Sequence, residues 1–160
     1  MRLHVPLPSD AFQPGDPIAV DVFPGRVVTH VGLVSHVPTG RDAGRDAGGA
    51  AGGVRVISAS ARRGGVFEEP LADFAQGGRP YRPAIARFVP RGEALARARS
   101  FLGHRYRLFT GNCEHLVYGC LGHPRSSPQL TAWLRGAAAA AVGAVAVAGA
   151  TILARTRRNA

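Results

Sequence analysis

The stretch 111-GNCEHLVYGCLG-122 sets a thiol in the first turn of a predicted helix. Gly111 and Asn112 supply a turn residue and an N-cap. Leu116, Val117, Cys120 and Leu121 then recur at three, four, seven and eight residues from Cys113, the apolar stripe of an amphipathic helix on which Cys113 also lies. A thiol so placed faces the unpaired N–H groups and the positive end of the helix dipole, both of which favour thiolate. Most free cysteines are merely small buried hydrophobes, so a catalytic role needs a base to take up the proton and a third group to orient that base.

Six histidines are available: His4, His30, His36, His104, His115 and His123. His4 lies near the start of the chain, and His104 and His123 follow glycines at predicted helix ends. His115 follows Cys113 by two residues, about 200° round the same helix, and so turns away from the thiol; it and Glu114 are assigned to anchoring the loop. His30 and His36 share one face of a strand but stand roughly 20 Å apart along it, so only one of them can serve Cys113. His30 is the better base, flanked by Val28, Val31 and Gly32, with the glycine leaving room on its face.

The elements that must position these groups follow from turn signals and periodicity. Pro14-Gly15-Asp16 is a turn, 18–22 a short strand, and 27-VVTHVGLVSH-36 a strand buried on both faces. The segment 40–53 repeats RDAG and reads as a flexible hairpin loop; 54-VRVISAS-60 is the returning strand. Arg62-Arg63-Gly64-Gly65 turns into 66–78, where a short helical turn follows Pro70. Residues 84–89 read as another strand, 92–102 as a helix stopped by Gly103, and 106–109 as an extended piece leading to the 113–121 helix. Strands, helix, strand, helix without βαβ alternation predict an α+β fold with a mainly antiparallel sheet and packed helices.

Composition narrows the partners. The chain has 160 residues, all 20 of its basic side chains are arginine, and the net charge is +10, which favours anionic partners. The arginines are scattered and no nucleic-acid motif or aromatic platform accompanies them, so nucleic acid is not an expected partner and an acidic membrane surface is. Two cysteines seven residues apart on one helix are separated by roughly 10 Å, too far for a disulfide. Neither a paired-cysteine nor an HExxH pattern is present, and no metal or cofactor is expected. The N-terminal residues hold no signal-peptide run, so the domain is expected in the cytoplasm.

The segments 14-PGDPIAV-20, 30-HVGLV-34, 56-VISAS-60, 64-GGVFEEPLADF-74 and 98-ARSFLGHRYRLFTGNCEHLVYGC-120 together resemble the lecithin:retinol acyltransferase (LRAT) family. Its bacterial members and the H-Ras-like suppressor phospholipase/acyltransferases share this layout, and the resemblance spans residues 12–127. It implies a circularly permuted, NlpC-type papain-like fold. Cys113 then matches the acyl-accepting nucleophile and His30 its base. The family's third member is a histidine on the next strand; here that position is Ser58, whose hydroxyl accepts more weakly from an imidazole than a second imidazole does. The implied chemistry is acyl transfer or lipid hydrolysis through a Cys113 thioester, with a phospholipid or other acyl lipid as substrate. A papain-like peptidase or amidase, and a non-catalytic LRAT-like module, are the alternatives.

Residues 1–11 read as an N-terminal extension. Beyond the polar turn 122–129, residues 136–154 carry no charge over the length of a membrane span and lead into the basic tail 155–160. The expectation is a single-pass C-terminal membrane anchor, with arginines flanking both ends.

Overall fold

The computed structural model describes residues 12–22, 28–38 and 53–141. They divide into two units, Met1–Ser127 and Pro128–Ala160. The first contains four strands, β1 (Pro17–Asp21), β2 (Thr29–His36), β3 (Arg55–Ser60) and β4 (Gly65–Pro70), followed by α1 (Leu71–Ala75), α2 (Arg91–Ser100) and α3 (Cys113–Cys120). The strands form one antiparallel sheet in sequence order. With its helices this is the α+β architecture expected from the element order.

Both faces of the sheet are buried, which explains why β2 reads as nearly continuous apolar sequence. Val31 and Leu33 of β2, with Ile57 and Ala59 of β3, pack against Ala94, Leu95 and Ala98 of α2 and Leu116, Val117 and Cys120 of α3. The alternate positions Ile18, Val20, Val34 and Val56 pack with Phe74 of α1 on the opposite face. Gly32 occupies this second face at a point of close approach. A Cβ there would stand 2.5 Å from Val56 Cγ1 and 3.1 Å from the Phe74 ring.

Two sequence expectations change. Residues 65–70 form a full edge strand, although two glutamates and a proline hide the alternation; Glu69 points inward and Pro70 comes last, where its missing N–H costs the ladder nothing. Residues 84–89 form no strand, because their backbone finds isolated partners only, such as Phe88 N–H donating to Leu121 O at 2.9 Å. The repeat loop up to residue 52, residues 1–11 and the tail 155–160 lie outside the described residues.

The turn predicted at 14–16 anchors the segment that carries Arg82, Arg87 and Arg91. Gly15 has φ 86° and sits so close to Arg91 that an added Cβ would be 2.5 Å from its carbonyl oxygen. Asp16, 3% exposed at the side chain, accepts from Arg82 Nη2 and Arg91 Nε at 2.8 Å each and from Arg87 Nη1 at 3.4 Å. Removing one member of a buried ion cluster leaves the others uncompensated, a loss of about 3–5 kcal/mol when the partners are also buried. Here the arginines keep some access to water, so Asp16→Asn should cost about 2–3 kcal/mol by the same reasoning. Urea denaturation checks this, and an unchanged midpoint would show that the cluster contributes nothing.

In the second unit, residues 128–141 are helical (α4). Among the described residues no helix is long and apolar enough to cross a membrane. The apolar helix expected over 136–154 lies outside the described residues beyond position 141.

Candidate active site

Asn112 caps α3 as its sequence position suggests. Its Oδ1 accepts from the His115 N–H at 3.0 Å, the N3 donor that opens every helix unsatisfied. The same oxygen also accepts from His115 Nδ1 at 2.8 Å, which places the ring hydrogen on that nitrogen. Asn112 Nδ2 donates to Leu108 O at 2.9 Å and to Ser127 Oγ at 3.1 Å, and the Ser127 hydroxyl donates to Glu114. Asn112, Glu114 and His115 therefore hold the loop in front of α3, and Cys113 is the first helical residue behind it.

The sheet opens where the thiol sits. The β1–β2 ladder continues to Asp21↔Thr29, but the β2–β3 ladder ends at Gly32↔Ser58 although β3 runs on to Ser60. Ala19, opposite Val31, exchanges both of its backbone bonds with Tyr81 at 2.9 Å. Val31 must then direct its N–H away from β1, to the side β3 has left. That N–H meets the Cys113 sulfur and, with the N–H groups of Glu114 and Cys113 itself, favours thiolate. Burial outweighs them and holds the thiol above its ordinary range, with the Glu114 charge adding to the effect. Tyr106 stands near enough to feel the charge on Cys113, and its phenol is raised by burial and by that charge, so it remains an O–H donor at neutral pH. Sequence reasoning passed over Tyr106 because a lone tyrosine in an extended piece carries no periodic signal.

His30 does not hydrogen-bond to Cys113. Its ring lies on Phe74, centroids 4.8 Å apart, on the face occupied by Gly32 and Val56, whereas Cys113 packs with the face of Val31 and Leu33. The two residues meet only through the backbone, since the N–H at the sulfur belongs to the residue after His30. Burial lowers the His30 pKa; Glu69 opposes that shift and Arg62 adds to it. Burial therefore disfavours both the Cys113 thiolate and the His30 imidazolium.

Ser58 shares the His30 face, fully buried, and donates to Glu69 Oε1 at 3.0 Å. Glu69, 3% exposed, also accepts from Arg63 Nη1 at 3.3 Å. Ser58 thus leads to a buried carboxylate whose charge reaches His30. Glu69 escaped sequence reasoning because Glu68-Glu69 reads as a solvated pair until β4 is registered on β3. Glu69→Gln keeps an acceptor for Ser58 but removes the charge that supports the imidazolium. The His30 ring, followed by NMR, should then lose its proton at lower pH than in the wild type; an unmoved titration would uncouple the two. Glu69→Ala should in addition destabilise the fold by about 1–3 kcal/mol, the cost of an unpaired buried hydroxyl.

The His30 pKa is depressed on folding, so the unfolded chain binds its proton more readily. The stability this neutral ring contributes is complete above the ordinary histidine value of about 6.5 and falls as pH drops below it.

Among the described residues no cluster of His, Cys, Asp and Glu has the arrangement to hold a metal ion. No protein-family model and no curated protein matches the chain.

Proposed function

We propose that the protein is a thiol-dependent acyltransferase or lipid acyl hydrolase of the LRAT type, with Cys113 as nucleophile. The observation that supports this best is the Cys113 sulfur at the start of α3, in the gap between β2 and β3, with three backbone N–H groups around it. In this mechanism the His30 ring must leave Phe74 and come round the edge of β2, where β3 no longer pairs with it, to take the thiol proton as sulfur attacks the ester carbonyl. The N–H groups at the helix start stabilise the oxyanion, and the Tyr106 phenol is a further donor beside them. As the tetrahedral intermediate collapses, the leaving alkoxide takes the proton from His30. Water, an alcohol or an amine then releases the acyl group from the thioester. Burial that disfavours both charged forms suits this route, because the proton moves during attack and not before it.

The test is to incubate the full chain with mixed phospholipids and weigh it intact. An acyl adduct on Cys113 supports the proposal, and its absence under conditions where Cys113 alkylates readily opposes it. The second reading, a non-catalytic module, draws on the missing thiol–imidazole hydrogen bond. It requires Cys113 to alkylate no faster than Cys120. We further propose that residues 136–154 tether the protein to a membrane. Deleting 136–160 should then move it from pellet to supernatant with thiol reactivity intact.

A further inference from the structure

A cavity of about 490 Å³ opens on the flank of α3, lined by His104, Arg105, Arg107 and Arg125 together with Phe101 and Leu116. No carboxylate lines it. Among the described residues Arg105, Arg107 and Arg125 form no ion pair, unlike Arg63, Arg82, Arg87, Arg91 and Arg97 elsewhere in the same unit. Phe101 places two of these side chains. Arg125 Cζ lies 4.8 Å from the centroid of Phe101, and the His104 ring meets Phe101 edge-on at 5.3 Å. The turn bearing Arg107 is closed by backbone bonds between Arg107 and Gly111, the shorter at 2.8 Å. Leu108 and Phe109 stand at its tip, 52% and 63% exposed.

We propose that this cavity binds a phosphate monoester. Three arginines lining one cavity that no carboxylate lines give it a positive field, which an anion bound there would neutralise. A carboxylate accepts one guanidinium fork, whereas a tetrahedral dianion offers oxygens in several directions and can accept from all three arginines and from His104. The volume exceeds that of the phosphate alone, and Phe101 and Leu116 give an apolar wall for whatever it esterifies. The exposed Leu108-Phe109 tip continues that apolar character outside the cavity. The phosphate is borne either by a lipid headgroup or by a soluble ester, and the site's chemistry is the same for both.

The experiment uses the full chain carrying Cys113→Ser, so its outcome is separate from whether Cys113 forms a thioester. One arm titrates glycerol 3-phosphate by calorimetry. The other measures co-sedimentation with phosphatidylcholine vesicles that contain or lack phosphatidic acid. Arg105→Gln and Arg107→Gln, both at exposed positions, should each weaken binding at least about tenfold, as expected for a lost charge-assisted bond. Arg99→Gln, which removes the same charge from the exposed surface of α2, should leave it within about twofold, the scale of a screened surface charge. Saturable binding in the first arm identifies a soluble ester, and binding in the second alone identifies a lipid headgroup; either supports the site. Failure of both probes, or an equal loss in Arg99→Gln, overturns it.

Discussion

Cys113→Ser should abolish the acyl adduct and lower turnover on the order of 10⁴-fold or more, the scale seen when a covalent nucleophile is removed. Cys120→Ala should leave turnover nearly unchanged. The two thiols lie on one helix two turns apart, yet their surroundings differ. Cys113 is partly exposed where the sheet opens, whereas Cys120 is fully buried and its thiol is pushed up to about 11. At neutral pH an alkylating probe should therefore mark Cys113 in the folded protein and Cys120 only after unfolding. The alkylation profile of Cys113 should be centred above the ordinary thiol value of about 8.5, because burial outweighs the surrounding N–H groups. A profile centred well below that value would mean that a thiolate–imidazolium pair exists after all.

His30→Ala should lower the acylation rate about 10²- to 10⁴-fold, the range for loss of a general base. It should also remove the acid limb of the pH–rate profile, which a purely structural role for His30 would leave in place. Added imidazole should restore part of the rate, since the lost ring leaves space against Phe74. The resting ring is on that phenylalanine and not on the sulfur. Acylation by His30→Ala at the wild-type rate and with the wild-type pH profile would assign the base elsewhere.

Local chemistry made much of this molecule legible from its residues alone. Asn112 as an N-cap, Cys113 as the first helical residue, the turn at Gly15-Asp16 and the strand containing His30 are all set by near neighbours in the chain, and the structure has each of them. Partnership across the fold was not legible. Whether His30 faces Cys113 depends on strand parity relative to α3, and a shift of one residue exchanges every side chain between the two faces of a sheet. The strand pattern is apolar on both faces and does not say which face receives the helix. Long-range pairing alone sets β4 on β3, carrying Glu69 to Ser58, and ends the β2–β3 ladder at Gly32 so that the Val31 N–H meets the sulfur. The thiol's acidity was likewise decided by packing: a helix start favours thiolate through a few nearby dipoles, but desolvation depends on everything folded around the sulfur, and here desolvation is the larger effect.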